Sequence, residues 1–318
     1  MTESAISEQA ATRREQTGPR EGGRVGRTSL QGTETAGLYT RAWRRFRRDR
    51  VAMFGLLLTL AIVVFVAVAD LISVATGFNY WRGELGEQFL PPFSEGHLLG
   101  TDTNGRDVLV RLAYGGRVSL LVAVLAGFAT LLIGGGLGSV AGFFGGWIDG
   151  FIMRLVDVLL SIPGLPLLLL ISVLYQPGVV GLAFVIALLS WPGVARIIRG
   201  EVLARRHADY VDAARVAGAD NGRIILRHIV PNVVPLAVVW ISLAIPSLIL
   251  VEATLSFLGF GVRVPVPSWG NMLNGATAYF AQSWTNVFIP GFAIWLTVLA
   301  INLIGNGLRD ALDPRLSD

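Results

Sequence analysis

The chain has 318 residues, of which 53% are hydrophobic and 15% are charged, and its formal net charge at pH 7 is +4. This composition is typical of a protein that crosses a membrane several times, and it excludes an ordinary soluble domain. Cysteine is absent, which excludes disulfides and thiolate metal sites. All 26 basic residues are arginine, so the lysine of a Walker A loop is missing and ATP binding of that kind is excluded. Three scattered histidines give no reason to propose a metal site.

Residues 1–40 are polar and lack apolar periodicity, which predicts a disordered cytoplasmic tail. They do not resemble a secretory signal peptide, because the first apolar run comes too late. The basic sequence RAWRRFRRDR follows at residues 41–50, directly before that run. Such a cluster is typical of the cytoplasmic end of a membrane span.

Six apolar segments are long enough to cross a bilayer. They comprise residues of about 51–71, 118–143, 151–175, 179–198, 229–260 and 287–308. The sequence therefore predicts an all-α, polytopic membrane domain over residues 41–318. Within the second segment, Gly134, Gly135, Gly136 and Gly138 predict a thin helix face for close packing.

The distribution of arginine predicts the orientation. If the N-terminus is cytoplasmic, 21 arginines lie inside and 5 outside, which agrees with the positive-inside rule. Both termini are then cytoplasmic. The positive charge is explained by topology, so it gives no indication of nucleic-acid binding.

Between the fourth and fifth segments lies HADYVDAARVAGADNGRIILRHIVPN, residues 207–232. Its composition predicts a helix over 201–217, ended by Gly218 in a left-handed conformation. Asp220 is placed to cap a second helix over 221–230, and Pro231 marks the return to the membrane. An amphipathic interfacial helix is the simpler interpretation. A helix held by two spans can also transmit force from another protein to both.

The spacing of Asp212-Ala213-Ala214, Gly218 and Pro231 resembles the "EAA" loop of binding-protein-dependent ABC importer permeases, with Asp212 where that family has glutamate. Further blocks, in order, resemble the C-type permease subunit of the dipeptide, oligopeptide and nickel importers. These blocks are HLLGTDTNGRDVLVRLAYGGRVSL (97–120), GFFGGWIDGFIMRLVDVLLSIPGLPLLLL (142–170), ATLSFLGFGVRVPVPSWGNML (253–273) and GNGLRDALDPRL (305–316). The resemblance runs from about residue 41 to the end.

This resemblance implies a type I ABC importer permease fold and a non-catalytic subunit of the cell membrane. The partners it implies are a second permease subunit, two ATP-binding subunits that hold ATP and Mg, and an extracytoplasmic solute-binding protein. The 207–218 segment would be the coupling helix that docks on an ATPase subunit. The residues predicted to couple are Asp209, Tyr210, Asp212, Ala213, Ala214, Gly218 and Arg223. Peptides are the expected cargo, with nickel or another small solute as the alternative.

Three charged groups remain to be interpreted. Glu252 lies deep in an apolar segment, so it faces either the translocation path or the partner permease, or it lies near the outer interface. Arg154 and Asp157 are three residues apart on one helix face, which predicts an ion pair between them. The group Asp102, Arg106 and Asp107 predicts a turn and a helix cap, because it lacks the carboxylates of a calcium loop.

Other function classes fit less well. A secondary transporter usually shows internal repeats and buried charges, and we find no clear repeat. A membrane hydrolase needs a nucleophile and a base, yet the histidines lie outside the apolar segments and no G-x-S-x-G occurs. A purely structural protein would tolerate a bulky residue at position 218.

Overall fold

The computed structural model describes residues 38–94 and 96–312, and within these ranges the secondary structure is helical without β-strands. The tail predicted for residues 1–40 lies outside the described residues except for its last three, which belong to the first helix. The helices are α1 (Leu38–Arg48), α2 (Arg50–Ala67), α3 (Ala69–Thr76), α4 (Val108–Phe144), α5 (Gly146–Ser161), α6 (Gly164–Tyr175), α7 (Val179–Arg205), α8 (Asp209–Val216), α9 (Asn221–Ile224), α10 (Val230–Phe257), α11 (Trp269–Leu273) and α12 (Thr285–Leu312). Among them, five are long and apolar enough to cross a membrane, or six if α5 and α6 count as one span.

The first and last long helices pack against each other. α2 begins after Asp49, whose carboxylate accepts a hydrogen bond from the Val51 amide at 2.8 Å. A Cβ on Gly55 would lie 2.7 Å from the Leu303 Cβ, and one on Gly307 would lie 2.3 Å from the Ala52 Cβ. The two glycines therefore allow α2 and α12 to approach closely.

The second long helix, α4, begins ten residues before the predicted segment, at Val108. Asp107 caps it, because its carboxylate accepts a hydrogen bond from the Val110 amide at 2.8 Å. Arg111 is buried inside the first turns and forms an ion pair with Asp102 at 3.2 Å. Because this arginine is paired, its charge does not end the helix, and the predicted turn and cap at residues 102–107 are confirmed.

The glycine face of α4 packs on α7. A Cβ on Gly134 would lie 2.6 Å from the Trp191 carbonyl oxygen, and one on Gly138 would lie 2.5 Å from the Ala195 carbonyl oxygen. Gly136 has nothing within 4 Å. The predicted thin face is confirmed for positions 134 and 138, which are four residues apart and so lie on one side of the helix.

The segment predicted as one span over residues 151–175 consists of two helices, α5 and α6, bent by 85°. Ile162 has an extended backbone, with φ −89° and ψ 131°. The cause is Pro163, since a residue before proline is driven out of the helical region. The next helix, α7, continues past the predicted end at 198 to Arg205.

The C-terminal part of α7 contains charged residues, and these can stay helical there because oppositely charged side chains neutralise them. Arg196 pairs with Asp157 of α5 at 2.6 Å. The predicted pair between Arg154 and Asp157 is therefore wrong: the aspartate side chain reaches the neighbouring helix instead. Arg205 and Glu201 form a further ion pair within α7.

After Gly218, α9 and α10 form one continuous helical run from Asn221 to Phe257, joined by a π-helical turn at Ile225–Ile229. This turn lies just before Pro231, whose ring clashes with the carbonyl one turn earlier and removes a hydrogen bond, so the backbone widens there. α10 ends at Phe257, before the predicted limit of 260. Gly259 follows with φ +85°, a conformation that ends helices.

Candidate coupling surface and translocation path

The segment predicted to couple, residues 207–218, contains a short helix of its own. The helix predicted over 201–217 is interrupted at Arg206–Ala208, and α8 covers only Asp209–Val216. Ala208 is extended, with φ −72° and ψ 149°. This break turns α8 so that the fully buried Val211 packs with Val202 of α7 and with Ile224 of α9.

A Schellman motif ends α8 at the predicted glycine. Gly218 has φ +80°. Its amide donates to the Arg215 carbonyl, and the Ala219 amide donates to the Ala214 carbonyl, each at 3.0 Å. A Cβ on Gly218 would meet nothing within 4 Å, so the glycine is required by backbone conformation and not by crowding. Asp220 then caps α9, accepting from the Arg223 amide at 3.1 Å, as predicted.

Most predicted coupling residues lie together on an exposed surface. Ala214 is half-buried, and the others are exposed, namely Asp209, Tyr210, Asp212, Ala213, Gly218 and Arg223. Asp212 and Arg215 form an ion pair at 2.8 Å along this surface. We call the exposed side of α8 together with the start of α9 the coupling surface.

Sequence reasoning missed two exposed apolar side chains, one on the coupling surface and one in the π-helical turn just after it. Val216 is 90% exposed and Leu226 is 72% exposed. Apolar groups left in water cost free energy, and such a patch indicates a contact with another protein or with lipid. The sequence did carry a signal for Val216. It lies five positions after Val211, so the two valines cannot share a helix face and only one of them can be buried on the same side.

Arginine side chains of α7 and α8 contact neighbouring helices. The Arg215 guanidinium lies 5.8 Å from the ring centre of Phe143, at the end of α4. Arg199 of α7 binds both carboxylate oxygens of Asp149 on α5. The first contact links α8 to α4, and the second links α7, which precedes α8, to α5.

At the opposite end of α10, Glu252 is fully buried inside this chain. Its carboxylate accepts hydrogen bonds from the hydroxyl of Ser119 on α4 at 2.8 Å and from that of Ser256 at 2.7 Å. The same serine hydroxyls accept from the amides of Trp269 and Val262, each at 3.1 Å. Glu252 thus joins α4, α10 and the segment after α10, and its predicted place on the translocation path stays a prediction.

The segment between α10 and α12 is held by local hydrogen bonds. Ser268 and Asn271 form a reciprocal capping box at the start of α11. The Asn271 amide group also donates to the carbonyls of Val262 and Val266, at 3.1 and 2.8 Å. The indole of Trp269 donates to the Leu112 carbonyl at 2.9 Å. These contacts attach the segment firmly to the start of α4.

Between α7 and α10 lies an open cleft of about 400 Å³. One face of α10 contributes residues at helical spacing, and Ser190 of α7 lies across from them. These α10 residues are Trp240, Leu243, Ala244, Ser247, Leu248 and Val251. No charged side chain lines this cleft. In the described ranges, no group of three or more histidine, aspartate or glutamate side chains is arranged to hold a metal ion.

The sequence matches the family described as "Binding-protein-dependent transport system inner membrane component" over residues 134–318, which is more than half of the chain. The chain belongs to this family. This permease also matches, over residues 37–92, the N-terminal transmembrane domain of oligopeptide transport permease C. The predicted resemblance to C-type peptide permeases is thereby confirmed, as are the all-α fold and the multi-pass membrane location.

Individual relatives cover nearly the whole permease. It is 40% identical over 298 residues to the dipeptide transport system permease protein DppC of Bacillus subtilis, covering 93% of this chain and 90% of the relative. It is 39% identical over 284 residues to the oligopeptide transport system permease protein OppC of Haemophilus influenzae, covering 89% and 90%. The glutathione transport system permease protein GsiD of Pectobacterium atrosepticum is 38% identical over 274 residues, covering 86% and 90%.

Proposed function

We propose that this permease forms one half of the translocation path of an ATP-driven peptide importer and that the coupling surface receives movement from a separate ATPase subunit. One observation carries the proposal. The open cleft lies between α7, which precedes α8, and α10, which follows α8 through α9; α10 supplies most of the lining and α7 supplies Ser190. A displacement of α8 would therefore change the width of the cleft.

The chemistry of the coupling surface suits docking against a protein. Tyr210 and Val216 offer apolar area, while Asp209, Asp212 and Arg223 surround it with charge. An apolar centre with a polar rim is typical of protein interfaces. Val211 holds α8 from behind, so the helix can transmit force as a rigid element.

The proposed assembly contains a second permease subunit, two ATP-binding subunits that hold ATP and Mg, and an extracytoplasmic solute-binding protein. The open side of the cleft, lined by Ser247 and Val251, would face the second permease and complete the path. We propose peptides as cargo, because the relatives named above transport dipeptides, oligopeptides or glutathione and none of these names refers to nickel. A cleft without charge suits peptides whose side chains differ.

The coupling surface and both termini would lie in the cytoplasm, as the arginine distribution predicts. The permease has no native cysteine, so single cysteines can test this orientation without background. Val216→Cys should react with a membrane-impermeant thiol reagent only after the cells are opened, whereas Leu85→Cys should react in intact cells once any outer barrier is permeabilised. Labelling of Val216→Cys from outside would overturn the orientation and the coupling role together.

The proposed function is tested in vesicles that contain the permease, its partner subunits and the binding protein. Labelled peptide should accumulate with ATP and not with a proton or sodium gradient alone. Val216→Cys should cross-link to the ATP-binding subunit, and Leu85→Cys serves as the control that should not. Uptake driven by an ion gradient without ATP would favour a secondary transporter, the rival function.

A further inference from the structure

A second apolar groove lies away from the cleft. It has a volume of about 460 Å³ and opens between α1, α2, the start of α10 and the end of α12. Its lining is entirely apolar and comprises Ala42, Trp43, Phe46, Leu56, Pro235, Val238, Ile304, Leu308 and Leu312. Water in such a groove is unfavourable, so hydrocarbon is the fitting content.

Helix α1 forms one wall and carries arginines beside it. Phe46 is buried against Ala311 at the end of α12. Arg45 and Arg47 flank Phe46, so each points about 100° away from it, at the edge of the apolar face. Arg44 and Arg48 are two positions from Phe46, about 160° away, and so lie on the opposite face. Arg45 is half-buried, whereas the other three are exposed.

The charge of these arginines is not balanced nearby. Within residues 38–94 and 96–312, none of the four has an acidic side chain at ion-pair distance. The Arg47 guanidinium lies 6.0 Å from the ring centre of Trp43, which lines the groove and is 55% exposed. Tryptophan with such exposure is suited to the level of lipid headgroups.

We propose that this groove and α1 bind one anionic phospholipid. An acyl chain fills the groove, and the phosphate lies beside Arg47, at the edge of the groove that Trp43 forms. Charge complementarity selects this occupant, because an apolar groove bordered by an arginine that has no acidic partner among the described residues matches a molecule with a hydrocarbon chain and a negative headgroup. The bound lipid holds α1 against α2 and α12.

The inference is independent of the proposed cargo. It uses no residue of the cleft or of the coupling surface, so failure of peptide uptake and failure of lipid binding are separate results. It requires only that the permease is embedded in a bilayer.

Native mass spectrometry of the full-length permease in detergent tests the headgroup. The protein is titrated with phosphatidylglycerol and with phosphatidylcholine of identical acyl chains. We expect one phosphatidylglycerol to bind about fivefold more tightly than phosphatidylcholine, given the contribution of one arginine near the surface. Equal affinities would overturn the proposal.

Two single variants with the same change in net charge locate the headgroup site. Arg47→Gln should abolish the preference for phosphatidylglycerol. Arg48→Gln should leave it within about twofold, since this side chain lies on the far face of α1. If both variants reduce the preference equally, the attraction is general and the site is disproved. Thermal unfolding of each variant without lipid shows whether it is folded.

Substitutions in the groove test the acyl chain. Val238→Trp places a ring in the groove and should weaken binding of both lipids, whereas Val234→Trp, on an exposed position of α10 outside the groove, should not. A photoreactive benzoyl-phenylalanine at position 238 should give a lipid adduct in membranes. Cross-linking to another subunit or to the N-terminal residues of this chain would show that protein occupies the groove and would overturn the proposal.

Discussion

Arg199 and Asp149 are 50 residues apart in sequence, yet the Arg199 guanidinium binds both oxygens of the Asp149 carboxylate, with Nη2 and Oδ2 separated by 2.5 Å. The pair joins α5 to the last turns of α7, the helix that precedes α8. A second pair, Arg196 with Asp157, joins the same two helices, but its side chains are 53% and 62% exposed. The two pairs therefore permit a matched comparison.

Asp149→Asn should lower the free energy of unfolding by about 1–3 kcal/mol, because it weakens a charge-assisted, two-point contact that is only partly exposed. Asp157→Asn should cost less than about 1 kcal/mol, since water screens its pair with Arg196. Thermal unfolding in nanodiscs measures both. Equal losses would mean that burial does not distinguish the two pairs.

Replacement of Gly218 should disturb the end of α8. Gly218→Val forces a β-branched residue into the left-handed region, at a cost of about 1–2 kcal/mol. We expect peptide transport to fall while ATP hydrolysis by the assembled complex continues. Gly200→Ala is the control, because Gly200 is helical and a Cβ there meets nothing within 4 Å. Normal transport by the Gly218→Val variant would contradict a coupling role for this turn.

The glycine face of α4 provides a packing test. Gly138→Ala places a methyl group against the Ala195 carbonyl and should lower the free energy of unfolding by about 1–3 kcal/mol. Gly136→Ala adds the same methyl group where the space is open, so its effect should be within about 0.5 kcal/mol. Thermal unfolding in one lipid composition compares them. The idea of a close α4–α7 contact fails if both variants are equally stable.

Removal of the Glu252 side chain should loosen the segment after α10. Glu252→Ala leaves the buried hydroxyls of Ser119 and Ser256 without their acceptor and opens a cavity, at a cost of about 2–4 kcal/mol. Glu252→Gln keeps the shape and one acceptor oxygen, so it should cost less. Limited proteolysis around residues 258–284 reports the loosening. Cleavage that stays at the wild-type rate in Glu252→Ala would disprove the joining role.

Asp70, which follows the spanning helix α2, allows a prediction about pH. A hydrogen bond from Tyr114 and the ion pair with Arg117 hold the pKa of the Asp70 carboxyl below its ordinary value. A lowered pKa in the folded state means that the ionised carboxylate contributes stability above its ordinary pKa, and that this is lost as the pH falls through the folded-state pKa. The difference in Tm between wild type and Asp70→Asn should therefore narrow below about pH 4. A difference that stays constant into acid would contradict the ionic origin.

Local features were predictable from sequence where a single residue type favours one backbone conformation or one hydrogen bond. Gly218 ends α8 because glycine accepts a positive φ at little cost, and Asp220 caps α9 because its carboxylate reaches the free amides of a helix start. The run of glycines in α4 was also visible in the sequence, but packing on α7 decided which of them make close contacts. The turn and the cap depend on atoms within a few residues along the chain.

Helix boundaries were harder to predict, because each apolar segment was taken to end at the first charged residue, whereas α4 and α7 continue through charged residues. Arg111 and Arg199 lie within helices: Arg111 pairs with Asp102 in the turn before its own helix, and Arg199 pairs with Asp149 of α5. Asp157 pairs with Arg196 of α7 and not with Arg154, three residues away in its own helix. Sequence spacing could not reveal the partners of Asp149 and Asp157, since these pairs meet only after the helices pack.

The sequence by itself determined the number of apolar segments, the family resemblance and the turn that ends α8, because hydrophobic length and backbone preference are local properties. The tertiary structure decided that Glu252 joins three segments, that α5 and α6 bend by 85°, and which face of α10 lines the cleft. These depend on the packing of helices that are far apart in sequence, and the energy of burying a polar group depends on the partner it finds there.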